Sequence, residues 1–394
     1  MQRRVVAFAH AGRDWIRGSE QCLLDLVARL DPARFRSVVL CNTPTLAREA
    51  ARRGAATVVV EDWGGGPVCA APVRRRVTAL LREHGASLVH ANMAEVLPAV
   101  IPAARALRLP VVAHLHIPLS SDEFLHNLVH QADAVVGVAE HVVAELREEG
   151  MPPAQARVIP NAVDEERLGA GDATGLRAEL GVAPGACVAA SVGSLIRRKG
   201  HDVTIRAVAA ARAGGRDVQL LVCGDGEEAG ALRALADELG VRGAVHFLGL
   251  RRDVGAVLRD ATEVYVSAAR EEALPLNVLE AQWAGVPVVC SDIPAHHESM
   301  RAGVTGVLVP GEDAPAIAEA VLAFDADPAR RRAAGAAGRA LVAERFSMRQ
   351  YVGAFAALYD ELLARPASAY GWLRGARWPR AYTRWLARAA ARRI

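Results

Sequence analysis

The sequence predicts an α/β protein of two doubly wound, largely parallel-sheet domains, and three observations carry that prediction. The chain has 394 residues, about two ordinary domain lengths, so two sizeable cores are expected. Short apolar runs of strand length alternate with helical or turn-rich stretches, the order that builds parallel sheets. Hydrophobic residues make up 52% and charged residues 23%, the balance of a compact chain rather than a disordered one.

Taken in order, residues 4–9, 37–41, 57–60, 88–90, 111–116 and 134–138 read as buried strands, each rich in β-branched or small apolar residues and bounded by turn residues. Residues 19–30 and 73–83 carry apolar side chains at helical spacing. This first domain is expected to span 1–165. Strands at 188–192, 218–222, 245–248, 264–266, 286–289 and 307–309, with helices at 229–239 and 277–284 among them, define a second domain over 166–345. Strand ends and domain interfaces repeatedly form ligand pockets, so the cleft between two such domains is the favoured site. Residues 346–370 read as a return helix, and 371–394 as a basic tail with seven Arg, three Trp and no acidic residue. That tail suits docking on the protein itself, contact with an anionic membrane surface, or partner binding.

The formal charge of +3 is too mild for a phosphate-backbone binder, so nucleic acid is not an expected partner. Six cysteines lie scattered without the spacing of a zinc site or the density of a disulfide scaffold. The N-terminus enters a strand pattern at once, with no signal-peptide pattern, and no apolar run approaches the roughly 20 residues of a spanning helix. A cytoplasmic protein is expected, with peripheral contact at the inner membrane surface left open. Of 47 basic residues 46 are Arg, and the single lysine is Lys199.

The most informative segment is Arg270-Glu-Glu-Ala-Leu-Pro-Leu-Asn-Val-Leu-Glu280, which leaves a strand and enters a helix. Glu272 falls in the loop and Glu280 in the helix, so the two carboxylates can meet different parts of a ligand. Carboxylates accept hydrogen bonds from neighbouring sugar hydroxyls. Pro275 has no N–H, which makes the Leu274 and Leu276 amides the better donors to a ligand oxygen. A second segment, Val192-Gly-Ser-Leu-Ile-Arg-Arg-Lys-Gly200, places a glycine turn before a helix, where backbone N–H groups and Lys199 can receive phosphate.

These segments resemble the family 4 glycosyltransferases, retaining, nucleotide-sugar-dependent enzymes of GT-B architecture, with two Rossmann-like domains facing across a cleft. The resemblance covers nearly all of residues 1–363. It implies that Glu272 lies near the transferred sugar, Glu280 near the nucleotide ribose, and Lys199 at the diphosphate. Val158-Ile-Pro-Asn-Ala-Val-Asp164 is similar to the family's interdomain segment, with Ala162 in place of a glycine. Ser194 stands where the family has arginine, and Arg197 or Arg198 is the nearest replacement cation. Val111-Val-Ala-His-Leu-His116 resembles the strand end that presents a histidine to the donor sugar, which puts His116 at the reaction centre and His114 in support. Arg17-Gly18-Ser19-Glu20 resembles the double-glycine loop with only Gly18 retained, a loop that approaches diphosphate or acceptor.

The resemblance implies sugar transfer from a nucleotide diphosphate donor to an acceptor hydroxyl, without a cofactor or metal. The catalytic candidates are His116, Glu272 and Lys199, and the donor-binding candidates Gly18, Ser194, Arg198, Lys199, Leu274, Leu276 and Glu280. The acceptor is a saccharide, a lipid-linked molecule or a small molecule. Ser194 and the incomplete glycine loop favour one alternative, a nucleotide-sugar-binding protein with weak or absent transfer. Gly224-Asp-Gly-Glu227 fits either a nucleotide-proximal turn or an ordinary one, and His296 and His297 lack partners spaced for a metal.

Overall fold

The computed structural model of the chain describes residues 3–63 and 71–370. It divides into two compact units, Met1–Asn161 with Tyr351–Ile394, and Ala162–Gln350. The Arg- and Trp-rich tail at 371–394 lies outside the described residues.

The first unit is built on seven parallel strands: β1 Arg4–His10, β2 Phe35–Cys41, β3 Ala56–Val59, β4 Leu88–Ala91, β5 Val111–Leu115, β6 Ala134–Gly137 and β7 Ala156–Val158. Their order is β3-β2-β1-β4-β5-β6-β7. Strands covered on both faces must be apolar throughout, and β1, with Val5 through Ala9 all buried, meets that demand. The helix Gly18–Arg29 buries Cys22, Leu23, Leu24, Leu26 and Val27. Its Glu20 accepts a hydrogen bond from the Arg17 backbone N–H at 3.0 Å, which ties the helix start to the preceding loop.

Inside this unit a buried ion pair joins Arg105 to Asp133 at 2.9 Å. The same Asp133 oxygen takes the Val111 N–H at 2.8 Å, so the pair pins the entry to β5. The helix Met348–Leu363 carries Tyr351, Phe355, Leu358, Tyr359 and Leu362 as buried residues at helical spacing. Tyr351 Oη donates to the Cys22 carbonyl at 3.3 Å, and Tyr359 Oη lies 2.6 Å from His90 Nδ1. The return helix thus completes the first unit's core.

The second unit has six parallel strands: β8 Cys187–Val192, β9 Val218–Cys223, β10 Val245–Gly249, β11 Val264–Ser267, β12 Val288–Ser291 and β13 Gly306–Val309. Their order is β10-β9-β8-β11-β12-β13. Two apolar clusters cover the sheet, one centred on Ile205, Leu220 and Phe324, the other on Val257, Tyr265 and Val278. The strand expected at 286–289 begins later, at Val288, because Gly285 with φ 80° and Pro287 belong to the turn that reverses the chain. The strand expected at 111–116 ends at Leu115, which leaves His116 just beyond the sheet.

In both sheets the strand order reverses at one place, between β1 and β4 and between β8 and β11. Crossovers leave on opposite sides there, so the loops after the two strands part and open a crevice at the carboxyl edge. That is where doubly wound sheets bind ligands.

Candidate functional site

In the second unit, the reversal point gathers the segments singled out in the sequence. The loop after β8 runs through Gly193, Ser194 and Lys199, and the loop after β11 carries Arg270 and Glu272. Gly200, at φ 66°, lets these loops approach: a Cβ there would stand 1.9 Å from the Ala268 carbonyl oxygen. The Arg270 N–H donates to the Arg198 carbonyl at 2.9 Å. The Arg270 guanidinium grips Asp202 with two bonds, at 3.0 and 2.9 Å. Its positive form is strongly favoured, first by that Asp202 bond.

The Gly224-Asp-Gly segment braces the β8 loop from the other side. Gly193 N–H donates to Cys223 O, and Leu195 N–H to Asp225 O, both at 2.9 Å. A Cβ on Gly224 would sit 1.8 Å from the Gly193 carbonyl oxygen, so this approach admits only glycine. Backbone packing of the β8 loop accounts for both glycines of the segment, since Gly226 abuts Leu195 in the same way.

Glu272 is buried. One carboxylate oxygen accepts from Lys199 Nζ, the other from Arg198 Nη1 at 2.8 Å. Burial alone would raise its pKa, but Lys199 and then Arg198 outweigh it and hold the carboxylate below its ordinary range. Arg198 also donates to the Glu271 carbonyl at 2.6 Å, so this cation is already committed to the β11 loop. Ser194 is half-buried and Arg197 exposed.

The helix Leu276–Trp283 starts at this edge with Pro275 as its N-cap. Its first amides have no intrahelical acceptor, as at any helix start. Asn277 Nδ2 donates to the Val192 carbonyl at 2.6 Å, anchoring that start to the end of β8. Leu274 is buried and Leu276 half-buried. One turn further in, Glu280 is buried and accepts from Arg167 Nη2 at 2.9 Å. The two glutamates therefore hold separate partners, and Arg167 is one that sequence spacing does not reveal, at 113 positions' distance.

On the short helix Pro294–Ser299, His296 is fully buried. Its Nδ1 lies 2.7 Å from the Ser291 carbonyl and so carries the proton, leaving Nε2 to accept from Ser267 Oγ at 3.1 Å. Desolvation lowers its pKa to about 4, which keeps it neutral. No group of three or more His, Cys, Asp or Glu side chains among the described residues is arranged to hold a metal ion.

In the first unit, the reversal point gathers a chain of polar groups around His116. His116 Nε2 lies 3.2 Å from Asn92 Oδ1. Asn92 Nδ2 contacts the Ser19 carbonyl at 3.0 Å and His10 Nδ1 at 3.1 Å. His10 Nε2 meets Glu20 Oε1 at 3.0 Å. Gly12 makes room for that last pair, since a Cβ there would stand 2.8 Å from the Glu20 oxygen. Gly18 opens the helix that carries Glu20. Behind His116, His114 is fully buried with its ring centroid 4.1 Å away, and His114 Nδ1 lies 3.2 Å from His90 Nε2. Desolvation first, then the neighbouring His114, pushes the His116 pKa well below its ordinary value. On the loop before the helix, the Arg17 guanidinium stacks 3.7 Å from the centre of the exposed Trp15 ring.

Comparison with known proteins places this arrangement in a family. Residues 173–341 match the model of glycosyl transferases group 1, and residues 16–167 that of glycosyltransferase family 4. A GDP-mannose-dependent alpha-(1-6)-phosphatidylinositol monomannoside mannosyltransferase of Mycolicibacterium smegmatis is 30% identical over 288 residues, 68% of this chain and 74% of that protein. The D-inositol 3-phosphate glycosyltransferase of Nocardia farcinica is 32% identical over 227 residues, 55% of this chain and 50% of that protein. The chain thus spans about half the length of the Nocardia relative. Among solved structures, Anabaena HepE in complex with UDP and glucose superposes with a TM-score of 0.79 at 21% identity, covering 90% of this chain and 99% of that one. The chain belongs to the family 4 glycosyltransferases, and its two parallel-sheet units have the GT-B fold.

Proposed function

We propose that the chain is a glycosyltransferase that moves a sugar from a nucleoside diphosphate donor to an acceptor hydroxyl, with retention of anomeric configuration and without a metal cofactor. The observation that carries the proposal is the cluster at the β8/β11 reversal: Lys199 and Arg198 on one loop, Glu272 on the other, and the helix start that leads to Glu280. Cations and free helix amides suit a diphosphate, and a buried carboxylate already held ionised suits sugar hydroxyls.

In this reading Lys199 stabilises the departing diphosphate, and the amides of Ser194, Leu274 and Leu276 supply further donors. Arg198, engaged with Glu272 and Glu271, orients the carboxylate rather than replacing the cation absent at Ser194. Glu272 orients the sugar, Glu280 accepts from the ribose hydroxyls, and His116 hydrogen-bonds the transferred sugar. Gly18 opens the loop assigned to diphosphate or acceptor. The acceptor is a saccharide, a lipid-linked or a small molecule, and the setting is cytoplasmic. Among the described residues, no helix is long and apolar enough to cross a membrane. The alternative of donor binding without transfer draws no support from the loop geometry, because the Ser194 loop is braced on both flanks by backbone bonds.

Proton NMR of a product formed from an α-linked nucleotide sugar tests the stereochemistry. An α-glycoside is expected; a β-glycoside would replace the retaining route with an inverting one.

A further inference from the structure

The polar chain around His116 determines more than its position. Asn92 is buried, 1% exposed, and its amide contacts three groups. The Ser19 carbonyl can only accept, so the amide nitrogen, 3.0 Å away, must face it. The same nitrogen therefore also faces His10 Nδ1, at 3.1 Å, and that ring atom must be an unprotonated acceptor. His10 accordingly carries its proton on Nε2, where Glu20 Oε1 accepts it at 3.0 Å. Every member of this run has its donor and acceptor sense set by the next.

With its nitrogen committed, Asn92 presents oxygen to His116 Nε2 at 3.2 Å. An oxygen there requires a proton on Nε2. A neutral imidazole protonated on Nε2 has its lone pair on Nδ1, and no described residue hydrogen-bonds that atom.

We propose that Asn92, held by Ser19 and by the His10–Glu20 pair, is a positioning residue that locks His116 as the Nε2–H tautomer, so that Nδ1 meets a ligand hydroxyl as a hydrogen-bond acceptor. Specificity comes from the chemistry: the group opposite Nδ1 must be a donor, a hydroxyl or amine, and an ether or carbonyl oxygen at that point is refused. The tautomer assignment rests on hydrogen bonding alone; only its consequence for turnover rests on the reading of His116 as a sugar-contacting residue.

Histidine-selective ¹⁵N labelling of the chain, with the His116 resonances assigned by loss in His116→Gln, reads the tautomer directly. In the unsubstituted protein at neutral pH, a protonated Nε2 and a bare Nδ1 are expected. A protonated Nδ1, or a doubly protonated ring, overturns the proposal without any need for a folded variant. In Asn92→Ala, His116 should change to a tautomer mixture while UDP or GDP affinity stays put, and kcat/KM should fall about tenfold, the scale of one lost hydrogen bond. An unchanged His116 spectrum in Asn92→Ala also overturns it, since a purely structural Asn92 leaves the tautomer alone. If the unsubstituted chain turns over no nucleotide sugar, the transferase reading fails while the tautomer result stands.

Discussion

At the scale of single residues, the cluster at the β8/β11 reversal divides charge between tasks. Lys199 is both the only lysine of the chain and the partner of a buried carboxylate. Substituting Lys199→Met removes the charge that most lowers the Glu272 pKa, so that carboxylate should titrate at higher pH. Under the proposed role of Lys199, the substitution also removes one charge-assisted contact to a diphosphate, worth about 1.5–3 kcal/mol. Calorimetric titration with UDP and GDP should show binding at least tenfold weaker. Glu280→Gln should weaken nucleotide binding by about tenfold through the ribose, while uridine or guanosine monophosphate should report the same loss. What the sequence conveyed at this scale was identity and local register: Glu272, Glu280 and Lys199 sit in short contiguous motifs. Arg167 and Asn92 escaped, because their partners lie 113 and 82 positions away and no spacing rule connects them.

At the scale of elements, the β8 and β11 loops act as one piece because Gly200 admits the Ala268 carbonyl. Gly200→Ala combines a positive φ with a Cβ that would overlap backbone, and backbone cannot swing aside as a side chain can. The variant should remain folded, with a melting temperature lowered by several degrees, and lose most nucleotide affinity as the loops part. Thermal melts beside calorimetry check both. The strands were legible from apolar runs because both faces of these sheets are covered. Their ends were less so: His116 continues the β5 pattern in sequence yet leaves the strand, since its ring takes part in the Asn92 network instead of a sheet face. The three-residue β7 is too short and too polar, with Arg157 at its centre, to register as a strand.

At the scale of the whole molecule, several histidines are buried neutral. Desolvation lowers the pKa of His90 to about 3, and those of His130, His201 and His296 to about 4. The unfolded chain protonates its histidines near pH 6.5, so between that value and the folded pKa values it binds more protons than the folded one. Stability therefore rises with pH across that interval and falls as pH drops below about 6.5. Melting temperatures should decline steadily from pH 7 to pH 5. A flat profile there would mean these rings carry charge in the folded state. The two-unit division was legible from length and from the repeat of strand runs. That the helix Met348–Leu363 joins the first unit was not, since its apolar stripe states that a face is buried but not against which core.

Donor-sugar transfer is proposed to be driven by the second unit's cluster. It is tested most directly by offering the chain a panel of UDP-, GDP- and ADP-sugars with varied acceptors, and measuring glycoside and nucleoside diphosphate together. One donor should yield both in equal amounts, with Glu272→Gln retaining nucleotide binding but losing about a hundredfold or more in kcat, the scale of a lost transition-state contact. Saturable donor binding with no glycoside formed across the panel, or a Glu272→Gln variant as active as the parent chain, would contradict it.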